Sequence, residues 1–496
     1  MAGSADRVLP GLMLVMLLGA LDQTAMAPAL PAVAADLGRF DLMPAVITAY
    51  LAAATVVMPL HGKLGDRFGR KPVLMGAIGV FVLGAVLCAT ATSMSALVVW
   101  RVVQGVGGGG LMIGAQAVLG EVVSPRERGR YLGLLGAVYV VAAVGGPLLG
   151  GLAVDHLSWR WIFALYPPLG LVALVVVART LRLPAPRERP PFDVLGAVLL
   201  SLAVIGIVLL SSGMGGATPL VAAATGLAVV GWLLTARTAA DPVLPLRLVR
   251  TRAIAIPIAV SALIGFALFG TISYLPAFLQ VARGASATQA GLVITALMAG
   301  VIVTTTVSGR LITRTGRYKA FPVTGTAVAA LGLALLGTVG PTTPLPLVLG
   351  ALLLIGLGIG MVMQVMVLVA QNGAEHRDLG AATSAVTFLR QIGASTGVAA
   401  IGALITSRFA AALPAGIDPR VAMRLDPDQL ADLPAAVRDA FGAAVPPVFG
   451  FVAPLLALAC VLSIALPAQP LRETAHVRHS SGSDPSGSDP SGRSPR

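Results

Sequence analysis

Two ionisable residues stand where ionisable residues are expensive. Asp22 interrupts a long apolar run, about fourteen residues from its inner end. An ionised acid at the centre of a bilayer costs ~2.5–3.5 kcal/mol on insertion scales, so such a group serves a purpose or is tied to a partner. No other acid lies at that depth. A carboxyl held there can load and release a proton near neutral pH; the plainer reading is a residue that only hydrogen-bonds a neighbouring helix. Arg101 lies about six residues into the fourth apolar run, at a similar depth. Arginine keeps its charge and must face water, an anion or backbone carbonyls. Proton coupling between Asp22 and Arg101 is the expectation, and a static arginine propping one helix against another is its alternative.

A third buried charge, Arg390, falls about ten residues into the thirteenth run, roughly 15 Å deep at 1.5 Å per residue. Thr387 and Gln391 lie beside it on the same helix. On the fourth run, helical spacing groups Arg101, Gly105, Gly108, Met112 and Gln116 into one polar, flexible stripe, with Gln104 close by. Gln104, Met112, Gln116, Thr387, Arg390 and Gln391 are therefore candidate cavity-lining residues. With Asp22 ionised, the embedded charges are one negative and two positive, a balance that disfavours dications.

The elements that must hold these residues are membrane spans. The 496-residue chain is 56% apolar and only 11% charged, against about 25% charged in soluble domains. Apolar runs of about twenty residues recur without a polar face, the length needed to cross ~30 Å of hydrocarbon. Helices are expected at 8–30, 44–62, 73–92, 96–120, 131–154, 159–179, 193–212, 218–236, 253–280, 287–309, 319–339, 345–370, 380–406 and 446–467. With the N-terminus inside, 25 Lys/Arg fall in inner segments and six outside, so the positive-inside bias places both termini in the cytoplasm. That bias also accounts for the net charge of +13, and the scattered basic residues form no nucleic-acid surface. Cys88 and Cys460 fall in opposite leaflets, too far apart for a disulfide. The first run is too long and its basic flank too thin for a cleaved signal peptide.

The segment Gly62-Lys-Leu-Gly-Asp-Arg-Phe-Gly-Arg-Lys71 returns as Gly309-Arg-Leu-Ile-Thr-Arg-Thr-Gly-Arg-Tyr318, offset by 247 residues. A weaker echo links the loops around Glu127 and Glu375. Two related halves, residues 1–180 and 253–470, thus flank an inserted helix pair at 181–252. An outer loop at 407–445 carries Leu430, Leu433, Val437 and Phe441 at helical spacing, which suggests a short surface helix. Residues 471–496 are too polar to pack and read as a disordered tail.

Three soluble-enzyme patterns match by accident. Gly105-Val-Gly-Gly-Gly-Gly110 lacks the strand and the acid of a dinucleotide site. Gly393-Ala-Ser-Thr-Gly397 lies inside a span rather than at a nucleophile turn. His476 and His479 have no further ligand nearby, so no metal, no cofactor and no enzymatic activity are expected.

Four ordered motifs resemble those of the major facilitator superfamily, and in particular its fourteen-helix drug:proton antiporter family. They are Leu21-Asp-Gln-Thr with Ala29-Leu-Pro31, Gly62–Lys71, Arg101-Val-Val-Gln-Gly-Val-Gly, and Gly145-Gly-Pro-Leu-Leu-Gly-Gly151. The likeness covers residues 8–470 and implies an all-α integral membrane fold of two six-helix halves plus two helices. It implies export of small lipophilic compounds across the cytoplasmic membrane, driven by protons, by a chain functional as a monomer and without nucleic acid. A dedicated exporter of one natural product, lipid or siderophore, and a sensor or scaffold on the same fold, remain open. By resemblance, Gly62, Asp66, Arg67, Gly69, Arg70 and Glu121 form a latch, in which Asp66 faces a second-half helix start and Arg70 pairs with Glu121. The second copy replaces Asp66 by Thr313, so that latch acts in one half. Gly145, Gly146, Pro147, Gly150 and Gly151 would bend the fifth helix to seal the outer leak path.

Overall fold

The computed structural model describes residues 2–39, 42–122, 128–181, 183, 193–211, 218–239, 242, 246–374, 379–413 and 435–467. These residues form fifteen α-helices and no strand. In chain order they are α1 (Ala2–Leu37), α2 (Met43–Phe68), α3 (Arg70–Ala89), α4 (Met94–Val122), α5 (Arg128–His156), α6 (Arg160–Ala164), α7 (Tyr166–Thr180), α8 (Val194–Ser211) and α9 (Thr218–Thr238). After a 3-10 turn at Leu246–Arg250 come α10 (Arg252–Arg283), α11 (Ala287–Thr315), α12 (Ala320–Leu336), α13 (Leu345–Gly373), α14 (Leu379–Ala412) and α15 (Ala435–Ile464). Twelve spans are long and apolar enough to cross a membrane, and two shorter apolar helices, Val141–His156 and Ala320–Leu336, complete fourteen.

Three expectations need correction. The sixth span breaks at Leu165 into α6 and α7, because Pro167 and Pro168 suit the first turn of a new helix better than the interior of an old one. The Gly62–Lys71 segment is not a loop: α2 runs on to Phe68 and α3 starts at Arg70, so Gly69 alone makes the turn. Its φ of 97° is open to glycine and costly for other residues. Lastly, Val437 and Phe441 belong to no separate surface helix. They lie in α15, which begins eleven residues before the expected 446 and carries Arg438 and Asp439, both exposed, near its start. Val437 packs with Phe409, Val281 and Phe441, which gives this N-terminal extension of α15 an apolar reason to stay helical. Leu430, Leu433, Glu127, Glu375, His476, His479 and the 471–496 tail lie outside the described residues.

The repeat is visible in the packing. In the first half α1 packs on α5 and α7, α2 and α3 pack on α4, and α3 packs on α7. In the second half α10 packs on α14 and α15, α11 and α12 on α13, and α12 on α15. Gly316, the counterpart of Gly69, caps α11 with φ +67°. The halves meet chiefly along two seams, α5 with α11 and α2 with α14, which the repeat interchanges, and α1 also touches α10 between them. The inserted α8 and α9 pack on each other, and α8 also lies on α2 and α14. There Leu200 and Val204 are buried against Phe388, Val56 and Trp232. Large apolar side chains such as Leu83, Leu220, Leu227 and Phe451 stand exposed on the outside of the bundle, as a lipid-facing surface requires. Cys88 and Cys460 are free.

Candidate functional site

The buried charges sit where α4 crosses α1 and α2. The glycine run of α4 permits that crossing: a side chain at Gly107 would strike the Phe81 backbone, and one at Gly109 the Ala54 carbonyl on the opposite side. The run expected to be a flexible stripe is therefore clamped between α2 and α3. Close approach of backbones through small residues is the usual way membrane helices gain packing contacts.

About two turns earlier on α4, Arg101 meets Asp22 of α1, and each is 1% exposed. Arg101 Nη1 donates to Asp22 Oδ1 and Oδ2, both at 2.8 Å, and to Gln104 Oε1 at 2.9 Å. Gln104 Nε2 donates to Asp22 Oδ1 at 3.0 Å, and Arg101 Nε donates to the Val46 carbonyl at 3.2 Å. The guanidinium lies 4.3 Å from the Tyr50 ring centroid and 5.8 Å from that of Phe163. Cys88 Sγ donates to Gln104 Oε1 at 3.5 Å. The Tyr50 hydroxyl is buried beside the Asp22 carboxyl without a hydrogen bond of good geometry. Removing two charges from water is costly, and only good geometry with further hydrogen bonds offsets it. Here the cation has a carboxylate, an amide, a carbonyl and two aromatic faces, so the pair is stable although no solvent reaches it. Protonating Asp22 removes one charge from a cluster built to hold two. The arginine then keeps Val46, Gln104 and the rings but loses its counter-ion.

Gln104, expected on a cavity wall, is instead fully buried and ties Asp22 to Arg101. Tyr50, Cys88, Val46 and Phe163 escaped the sequence reading. A carbonyl partner leaves no mark on a sequence, but the i, i+3 relation of Arg101 and Gln104 does put both on one face of α4. The other cavity candidates lie on α4 and α14. Met112 Sδ accepts from Gln23 Nε2 at 3.4 Å, and Gln116 is exposed. Thr387 Oγ1 donates back to the Thr383 carbonyl at 3.1 Å. Gln391 is 7% exposed, and its Nε2 has no partner among the described residues. Arg390 lies against Gly265 of α10, where any side chain would meet its carbonyl and its Cγ. One turn beyond Gln391, Ser395 Oγ lies 3.4 Å from Thr55 Oγ1 across the α2–α14 seam.

In the latch segment, Arg67 stands 5.9 Å from the Phe68 ring centroid and Arg70 lies beside Gly65, while the space around Gly62 is open. Lys71 Nζ donates to the Ala178 carbonyl at 2.7 Å, where the C-terminal end of α7 favours a cation. The side chains of Asp66 and Glu121 lie outside the described residues. In α5, Gly146 and Gly150 seat Thr24 and Ala25 of α1, and Gly151 seats Ala287 and Thr288 of α11. Thr24 Oγ1 donates to the Ala142 carbonyl at 3.0 Å, and the Pro147 carbonyl lies against Gly291. The space beside Gly145 is open. Gly146, Pro147, Gly150 and Gly151 thus hold α5 against α1 of its own half and α11 of the other.

A family model described as Major Facilitator Superfamily matches residues 12–398. An uncharacterized MFS-type transporter of Mycobacterium tuberculosis is 39% identical over 418 residues, which are 82% of this chain and 60% of that protein. The chain thus spans about three fifths of the length of that relative. The multidrug transporter protein MdtP of Bacillus subtilis is 31% identical over 410 residues, 81% of this chain and 75% of its own. Among solved structures, an inward-facing, unoccupied bacterial homolog of the human lysosomal transporter Spinster superposes with a TM-score of 0.69 at 15% identity, covering 93% of this chain and 97% of that one. With the same helix pairings repeated in two halves and a family match over most of its length, the chain belongs to the major facilitator superfamily.

Proposed function

We propose that the chain is a proton-coupled antiporter that exports small lipophilic compounds across the cytoplasmic membrane by alternating access. The observation that carries this reading is the buried Asp22–Arg101 pair, one exchangeable proton site held against one permanent cation at 2.8 Å. A proton that enters Asp22 releases Arg101 from its counter-ion, and the arginine regains one only when the proton leaves. Each proton moving down 100 mV supplies ~2.3 kcal/mol, enough for a concentration gradient of tenfold or more. The names of the relatives support efflux, and the contacts joining the halves near the outer end support an inward-facing state.

Everted membrane vesicles test this. A monocationic dye should accumulate on energisation and leak out when an uncoupler collapses the gradient; accumulation indifferent to the uncoupler would refute coupling. In the same assay neutral and monocationic compounds should outrun dicationic biguanides, and Arg390→Ala should narrow that difference. A chain dedicated to one product would answer to a single chemical class in the panel.

The same reading gives Asp66 a gating role. Asp66→Asn keeps every positive charge, so insertion and orientation should be normal. Transport should nonetheless fall as the equilibrium moves toward inward-facing states, read by accessibility of cysteine probes on the outer side. Unchanged accessibility with normal transport would leave Asp66 no such role.

A further inference from the structure

At the outer end of α5, Asp155 reaches across the seam between the halves. One carboxylate oxygen accepts the Ala287 backbone N–H at 3.1 Å and the other accepts the Thr288 N–H at 2.8 Å. These are the first two amides of α11, which lack partners within their own helix and carry its positive dipole end. Ser286 and Gln289 already form a capping box at this terminus, so the helix start does not need Asp155 for its own stability. Gly151, one turn back on α5, lets the two backbones touch by leaving no side chain over Ala287 and Thr288. A third contact between the halves lies nearby, Gln280 Nε2 of α10 donating to the Pro28 carbonyl of α1 at 2.8 Å.

We infer that Asp155 is the outer latch of the transport cycle, holding the outer ends of the two halves together while the inner side is open. The inference rests on alternating access. It places a first-half carboxylate on a second-half helix start at the outer side, the arrangement that resemblance assigns to Asp66 at the inner side. The two latches alternate: when the outer ends separate, Asp155 leaves the α11 amides and both groups hydrate. The contact therefore weights the inward-facing state without taking part in proton or substrate binding.

Spin labels at cysteines replacing Leu157 and Leu292, both exposed, read the outer separation by electron–electron distance measurement in nanodiscs. A Cys460→Ala background suffices, because Cys88 is buried. Asp155→Ala should shift the ratio of long to short distances about three- to tenfold, since two charge-assisted hydrogen bonds are lost at a carboxylate that water already reaches. Asp155→Asn should fall between. Ala287→Pro attacks the contact from the other side, removing one donor while leaving the carboxylate. Proline suits the first helical position, and Ser286 already has the extended backbone (φ −68°, ψ 162°) that a residue before proline requires. It should shift the ratio in the same direction, and the double variant should do no more than Asp155→Ala alone. Unchanged distances in Asp155→Ala would overturn the inference, as would additive effects of the two changes. This readout needs neither gradient nor substrate, so a failure of proton coupling in vesicles leaves it intact, and the reverse holds.

Discussion

Asp22→Asn is expected to abolish gradient-driven efflux in vesicles while the protein still folds, inserts and binds substrate. The amide is nearly isosteric, and its carbonyl oxygen can still accept from Arg101 Nη1, which now lies 2.8 Å from both carboxylate oxygens. What it lacks is a proton to release. Removing one partner of a buried ion pair costs ~3–5 kcal/mol, and the retained hydrogen bond keeps Asn below that range, whereas Asp22→Ala reaches it. The pair of variants therefore separates chemistry from folding: Asn loses transport with a small drop in thermal stability, Ala loses both. Asp22→Glu keeps a titratable group and should retain part of the activity with a shifted pH profile. Arg101→Lys should be damaging despite its charge, because an ammonium cannot serve Asp22, Gln104 and the Val46 carbonyl from one plane. Full efflux by the Asn variant would remove Asp22 from the coupling mechanism.

The second large effect is expected in the α4 glycine run. Gly109→Val adds three carbons where even a Cβ overlaps the Ala54 carbonyl and lies 3.0 Å from the Ala54 Cα. Backbone cannot move aside as a side-chain tip can, so α2 must shift, and with it Val46 and Tyr50 of the charge cluster. Overpacking of this kind costs ~1–3 kcal/mol, with loss of the Arg101 contacts in addition. Thermal melting of the detergent-solubilised protein should fall sharply. Gly76→Ala on α3, where no neighbour lies within 4 Å, should be neutral or stabilising by up to ~1 kcal/mol through helix propensity. Equal melting of the two variants would show that α4 does not need its glycines for packing.

Much of this arrangement could be read from residue order. Apolar runs located the fourteen spans because a lipid-facing helix must be apolar all round, and depth alone placed Asp22 and Arg101 at one level. Span ends were harder: Phe68, Ala412 and Ala435 all lie beyond the hydrocarbon-length estimate, because a helix ends where its backbone finds a cap rather than where lipid ends. The partners of Arg101 on α2 and α6 are invisible in the sequence, since they are a carbonyl and aromatic faces supplied by packing. Gln104 shows a limit of residue type: a polar side chain in a span suits a cavity wall or a neighbouring charge equally well, and here it bonds both Asp22 and Arg101. The glycines of α4 were read as pliable, and only the neighbours of each show that they are filled space.

The inserted hairpin has one more consequence. The two halves match helix for helix, but among the described residues α8 is laid along the α2–α14 seam, with Leu200 and Val204 wedged beside Phe388, and no comparable packing covers the α5–α11 seam. The two-fold relation of the halves is therefore broken by protein packed on one of its two seams, and the described helices form a pseudo-symmetric core with an asymmetric flank.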